Sequence, residues 1–249
     1  FLPLSADVPR YFTGDALIRS IEASSEMMNV SEYVETMLIR VKSLLTDSQL
    51  SSVIRDEQMI DLADWLSKYI GTSDKHNEQI SIIDLSLVPI EVIHVVTAVI
   101  TRIVFEALQR YRQNNTNGKT FPTVLVMEEA HNFVKRYSAD SDNRDTAAVC
   151  CQVFERVARE GRKFGLGLVL SSQRPSELSP TVLSQCNTFL LHRISNDRDQ
   201  ELVHKLVPDN LRGLLRDLPS LPSQNAILLG WASELPIMVR MNDLPENQT

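Results

Sequence analysis

At 249 residues with 43% hydrophobic side chains, the chain carries enough apolar material for one large core or two small ones, which argues against disorder. Its net charge of -7 argues against coating nucleic acid by bulk charge, so any such contact needs a local basic surface. Three cysteines, two of them adjacent (Cys150, Cys151), make neither a disulfide framework nor a CxxC metal pattern, so core thiols in a reducing cytoplasm are expected.

The chain opens at Phe1 without a methionine, which suggests a segment of something longer. Residues 1–79 read as an all-helical segment. Val34, Met37, Leu38, Val41, Leu44 and Leu45 share one helix face, with Ser31 as the expected cap. A second amphipathic run carries Ile60, Ala63, Leu66 and Ile70 and stops at Gly71, and the polar stretch 72–79 reads as a linker.

From Ile80 the pattern changes to short apolar runs alternating with helices, so residues 80–249 form the expected α/β domain, a mostly parallel sheet flanked by helices. "ISIIDL" (80–85) reads as a strand, and Pro89 suits the first turn of a helix reaching about Arg112. That helix includes the most apolar stretch of the chain, Leu87 to Phe105. Glu91, His94, Thr97, Thr101 and Arg102 interrupt it, whereas a membrane span needs roughly 18 apolar residues with few charges. It reads as a buried core helix, and no membrane partner is expected. "TVLVM" (123–127) is the next strand, followed by a helix from about Thr146 to Glu160 with Val149, Val153 and Val157 on one face. "LGLVLSS" (166–172), "TFLLHR" (188–193), "AILLG" (226–230) and "PIMVRM" (236–241) supply further strands.

Ligands of open parallel sheets bind at the carboxyl ends of the strands. Glu128 and Glu129 stand there after the 123–127 strand. Two such acids suit a nucleotide hydrolase, in which one reaches a metal ion and the other orients the attacking water. They equally suit the positive end of a helix. Gln173 and Arg174, which end the 166–172 strand, tip the balance toward a site, because a glutamine beside an acidic pair can sense a terminal phosphate.

"VLVMEEAHNFV", "VAREGRKFGLGLVLSSQRPSEL", "VLSQCNTFLLHRISNDRDQELV" and "LPSLPSQNAILLGWASELPIMVRM" together resemble the HerA family of hexameric DNA-translocating ATPases, within the HerA/FtsK superfamily. The resemblance implies a RecA-like fold, ATP and Mg²⁺ as cofactors, and a homo-oligomeric ring, a hexamer in that family. It also implies duplex DNA as the substrate and a nuclease or effector protein as a partner, in some bacterial relatives for antiphage defence. By the same resemblance Glu128 and Glu129 are the Walker B element, with Glu128 on the metal through water and Glu129 as the catalytic base. Gln173 matches the phosphate sensor, with Arg174 beside it. Arg162 matches the arginine sent into a neighbouring subunit's site, and Arg159, Lys163, Arg174 and Arg193 compete for that role.

The phosphate-cradling loop is the missing half. "QNNTNGKT" (113–120) ends in Gly118, Lys119 and Thr120 but has Gln113 where GxxxxGK[ST] needs glycine, and it runs from a helix into a strand rather than the reverse. It reads as a surface turn. The family's true loop lies upstream of the helical insertion, so these 249 residues alone are expected to be inactive. Lys135, Arg136 and Arg144 flank a loop that could grip DNA phosphates, although Asp140 and Asp142 in the same loop favour an ordinary solvated surface.

Three rivals remain open. The chain could be a structural ring subunit that arranges a partner enzyme with dispensable ATP turnover. It could be a protein-transport or DNA-packaging ATPase of the same superfamily. The last is a metal hydrolase using His131 with Glu128 and Glu129.

Overall fold

A computed structural model describes residues 12–47, 80–86, 88–115, 117–137, 146–206 and 212–243. The run from Ile60 to Ile70, the stretch 72–79 and Arg144 lie outside the described residues. The chain forms two compact units, Phe1–Val92 and Ile93–Thr249, each with its own packing.

The first unit contains α1 (Gly14–Met27) and α2 (Ser31–Thr46). Thr13 caps α1, its hydroxyl accepting from the Ala16 N–H at 3.0 Å. Ser31 does not cap α2 as expected. It is the first helical residue, and Val30 holds the cap position with no side-chain bond. The two helices pack together, with Leu45 against Gly14, but no residue of α2 is fully buried. The expected strand at 80–85 is absent. Among the described residues no second strand pairs with it, Ile82 is 88% exposed, and the segment ends in a turn where Asp84 accepts from the Ser86 N–H. Alternating isoleucines give strand propensity, but only a neighbouring strand satisfies the backbone.

In the second unit α3 (Ile90–Asn114) leads to β1 (Thr123–Met127), which pairs in parallel with β2 (Leu166–Leu170), Thr123 opposite Leu166 and Met127 opposite Leu170. Between the strands runs α4 (Thr146–Glu160), a right-length crossover for a parallel pair. Phe105 and Leu108 of α3, Val157 of α4 and Leu166 of β2 form one buried cluster, with the Phe105 and Phe164 rings edge to face at 5.6 Å. The segment Val92–Asn114 is long and apolar enough to cross a membrane by composition, with a mean hydropathy of 1.6, yet its Phe105 and Leu108 belong to this core. The opposite face of the β1–β2 pair is bare, Val124 being 62% and Val126 58% exposed.

The buried face of α4 differs from the expected one. Ala148, Cys150, Cys151, Phe154 and Val157 are buried, whereas Val149 is exposed. Both adjacent cysteines are core thiols. Burial pushes the Cys150 thiol up to about 12, with Cys151 beside it adding to the effect, and burial pushes Cys151 up to about 11.

After β2 come α5 (Pro180–Leu183), β3 (Thr188–Leu191), α6 (Asp197–Leu206), α7 (Arg212–Leu215), β4 (Asn225–Gly230) and β5 (Ile237–Arg240). The α/β class is the expected one, and β1–β2 is its parallel part. The closing strands instead form an antiparallel sheet in the order β3-β4-β5. A second core lies under it, with Val203 of α6, Leu215, Leu218 and Leu221 packed on Leu191, Ile227 and Leu229.

Candidate active site

The parallel ladder does not stop at the last strand residues. The Ser171 N–H donates to the Met127 carbonyl at 2.9 Å and the Ala130 N–H to the Ser171 carbonyl at 2.8 Å. These bonds hold the chain around Glu129 beside the chain around Gln173. Glu129 sits in the left-handed region, φ 46° and ψ 46°, before a 3₁₀ turn at Ala130–Asn132. A residue with a β-carbon rarely occupies that region, and residues held there cluster at functional sites.

The side chains meet as the strand ends suggest. Gln173 Nε2 donates to Glu129 Oε1 at 3.0 Å. His131 Nδ1 lies 3.2 Å from Ser172 Oγ and 3.3 Å from Glu129 Oε2. Only the first contact has hydrogen-bond geometry, which leaves Glu129 Oε2 buried and without a donor among the described residues. Ser172 Oγ also accepts from the Arg174 N–H at 3.1 Å, so one hydroxyl ties the histidine to the loop carrying Gln173 and Arg174. His94 supports the turn from below, its Nε2 3.0 Å from the Asn132 carbonyl.

Glu128 is exposed beside this network. No group of three or more His, Cys, Asp or Glu side chains able to hold a metal forms among the described residues, so the hydrolase reading through His131, Glu128 and Glu129 finds no zinc site. The exposed carboxylate of Glu128 at a strand end suits a different ion. Mg²⁺ takes one or two protein carboxylates and completes its shell with water and phosphate.

The remaining expected residues scatter. Arg174 pairs with Glu177 at 3.2 Å. Arg162 is exposed on the 3₁₀ turn Gly161–Phe164, which precedes β2. Five residues of strand rising about 3.3 Å each put roughly 16 Å between the two ends of β2. Arg162 therefore lies at the end opposite Glu129 and Gln173 of its own chain. Arg159 and Lys163 are exposed at that same far end, and Arg193 is exposed after β3. Gly118 and Lys119 are exposed, with the Gly118 N–H donating to the Asn115 carbonyl, a turn between α3 and β1. Lys135 forms an isolated bridge with Leu178, and Arg136 lines a cleft of about 410 Å³ with Ser176, Glu177, Arg198, Glu201 and Lys205.

Sequence reasoning missed three residues here. Glu177, which fixes Arg174, and Ser172, which joins His131 to the second strand end, look like ordinary loop polar groups. Trp231, whose ring lies 5.5 Å from the Arg162 guanidinium carbon, falls between the strands expected at 226–230 and 236–241. Only the rarity of tryptophan on a turn could have drawn attention to it.

No family model matches the chain. It is 31% identical to "Probable helicase MJECL08" of Methanocaldococcus jannaschii over 84% of the chain and 40% of that relative. It is 34% identical to the DNA double-strand break repair helicase HerA of Pyrococcus furiosus over 57% of the chain and 24% of that protein. Among solved structures, the DNA-packaging ATPase B204 of Sulfolobus turreted icosahedral virus aligns with a TM-score of 0.42 and 15% identity, covering 58% of this chain and 62% of that one. The chain thus spans less than half the length of the curated relatives it matches. Over the part of those relatives that it spans, the chain is similar to curated helicases of the HerA type.

Proposed function

We propose that the intact gene product is an ATP-dependent DNA translocase whose subunits form a ring, a hexamer, around duplex DNA in the cytoplasm. Glu129 is the general base. Its Oε1 is held by Gln173, and its Oε2, buried 3.3 Å from His131 Nδ1, makes no hydrogen bond and is free to take a proton from an attacking water once the site fills. Glu128 would hold Mg²⁺, which would supply charge neutralisation at the ATP phosphates. Gln173 reports loss of the terminal phosphate by exchanging partners between it and Glu129. Arg174 lies beside the nucleotide, kept in place by Glu177. Arg162 acts in the site of the next subunit, since it stands at the wrong end of β2 for its own. Lys135, Arg136 and Arg144 contact DNA phosphates, and a nuclease or effector protein docks on the ring.

The observation that carries this reading is the Gln173–Glu129 hydrogen bond across adjacent parallel strand ends, with Glu129 held at positive φ. ATP hydrolysis by the intact gene product, with and without duplex DNA, tests it. Turnover should rise with DNA, and Glu129→Gln should lower it by about 10² or more. Absent turnover in both proteins, with the ring intact, would make the subunit a scaffold.

A further inference from the structure

Arg162 and Trp231 form a stacked pair, the guanidinium carbon 5.5 Å from the ring centroid, inside the range of a cation–π contact. Both are exposed, Trp231 at 74%. Exposed side chains of this size ordinarily spread over many rotamers, but here the backbone behind each is fixed. Gly161, just before Arg162, packs so closely that a β-carbon there would stand 2.8 Å from the Leu166 carbonyl oxygen. Gly230, just before Trp231, has a φ of 102°, and a β-carbon there would collide with the Asn187 carbonyl oxygen. That same carbonyl accepts the Trp231 N–H at 2.8 Å. The turn before β2 and the end of β4 thus present the arginine against the tryptophan from two closely packed backbones.

We infer that Trp231 is a positioning residue, its ring face aiming the Arg162 guanidinium at the acidic strand-end site of a second copy of this chain. The inference rests on the reading of Arg162 given above. Charge favours this occupant. Exposed Arg159, Arg162 and Lys163 at the amino end of β2 complement Glu128 and Glu129 after the carboxyl end of its partner strand, where Arg174 is already paired with Glu177, and head-to-tail contact of this kind can repeat into a closed ring. Tryptophan and arginine are also the side chains that most often carry the binding energy of an interface. Leu235, 67% exposed in the same β4–β5 turn, extends the apolar surface around the ring.

The test uses the intact gene product and four variants, Trp231→Ala, Trp231→Phe, Arg162→Ala and the double Trp231→Ala/Arg162→Ala, at concentrations where each is assembled. Trp231→Ala should lower kcat at least about tenfold, as expected for a misplaced catalytic group, with KM for ATP within about twofold. Trp231→Phe, which keeps a π face, should restore most of the loss, and the double variant should be no worse than Arg162→Ala alone. Should Trp231→Ala fail to fold, Trp231→Leu keeps the bulk without the π face and should show the same fall in kcat. Full turnover by Trp231→Ala or Trp231→Leu, with Arg162→Ala impaired, would overturn the positioning role alone. A raised KM at unchanged kcat would overturn it in favour of a tryptophan that stacks on the nucleotide base. Wild-type turnover by Arg162→Ala would remove the trans-acting arginine, and this inference with it.

Discussion

Glu129 and the cysteines show how differently the same chain treats its ionisable side chains. The two oxygens of Glu129 have unlike surroundings, one bonded to Gln173 and one buried 3.3 Å from His131 Nδ1 without a hydrogen bond. Cys150 and Cys151, by contrast, are held neutral by burial in α4. Since the thiolate is the nucleophile, both should resist alkylation at pH 7.5 in the folded protein and react within the unfolding time once denaturant is added, which mass spectrometry can follow. The sign of the pH effect follows from linkage. Unfolded thiols release their protons from about pH 9, folded ones not until about 11 to 12, so over that interval the unfolded state binds fewer protons and stability falls as pH rises. Below pH 9 this contribution is constant. That Glu129 and Gln173 meet was legible because both follow the carboxyl ends of adjacent parallel strands. The hydroxyl of Ser172 and the brace of Glu177 were not, since neither has a sequence period or motif to mark it.

Among the elements, α4 is the crossover helix between the two parallel strands. Its buried face follows 150, 151, 154 and 157, a helical stripe that the valine spacing obscured because Val149 has the same hydrophobicity as its buried neighbours. Phe154 is completely buried. Phe154→Ala should therefore cost about 3–5 kcal/mol in urea unfolding, and a cost under 1 kcal/mol would mean that α4 is not the anchor of this core. Strand positions were the most legible elements. β1 matches the expected span residue for residue, and the others end within a few residues of it. The direction of β3 to β5 was not readable, because antiparallel pairing is decided by the turn at 231–236 and by packing on α6, not by the composition of the strands. The failure at 80–85 has the same origin: a strand needs a neighbour, which its own residues do not encode.

At the scale of the whole molecule, the second unit has two cores, one between α3, α4 and the parallel pair and one between α6 and the antiparallel sheet. The outer face of β1–β2 remains uncovered, and the acidic and basic ends of that pair lie about a strand length apart. A polarity of this kind was visible in the sequence only as a list of charged residues, because which end of a strand a charge occupies depends on the crossover.

The positive φ of Glu129 has a consequence for how such a chain can change over generations. A left-handed backbone costs a side-chain-bearing residue about 1–2 kcal/mol, a cost glycine escapes. Glu129→Gly should then raise the unfolding free energy of the unliganded protein by up to about 1 kcal/mol while abolishing turnover, as paired denaturation and hydrolysis measurements would register. A loss of stability instead would mean that the bond from Gln173 outweighs the strain. If the gain is observed, thermodynamic drift alone pulls this position toward glycine, and only selection for the proposed catalytic role keeps a carboxylate there. Lineages that shed the activity should lose Glu129 before they lose the fold.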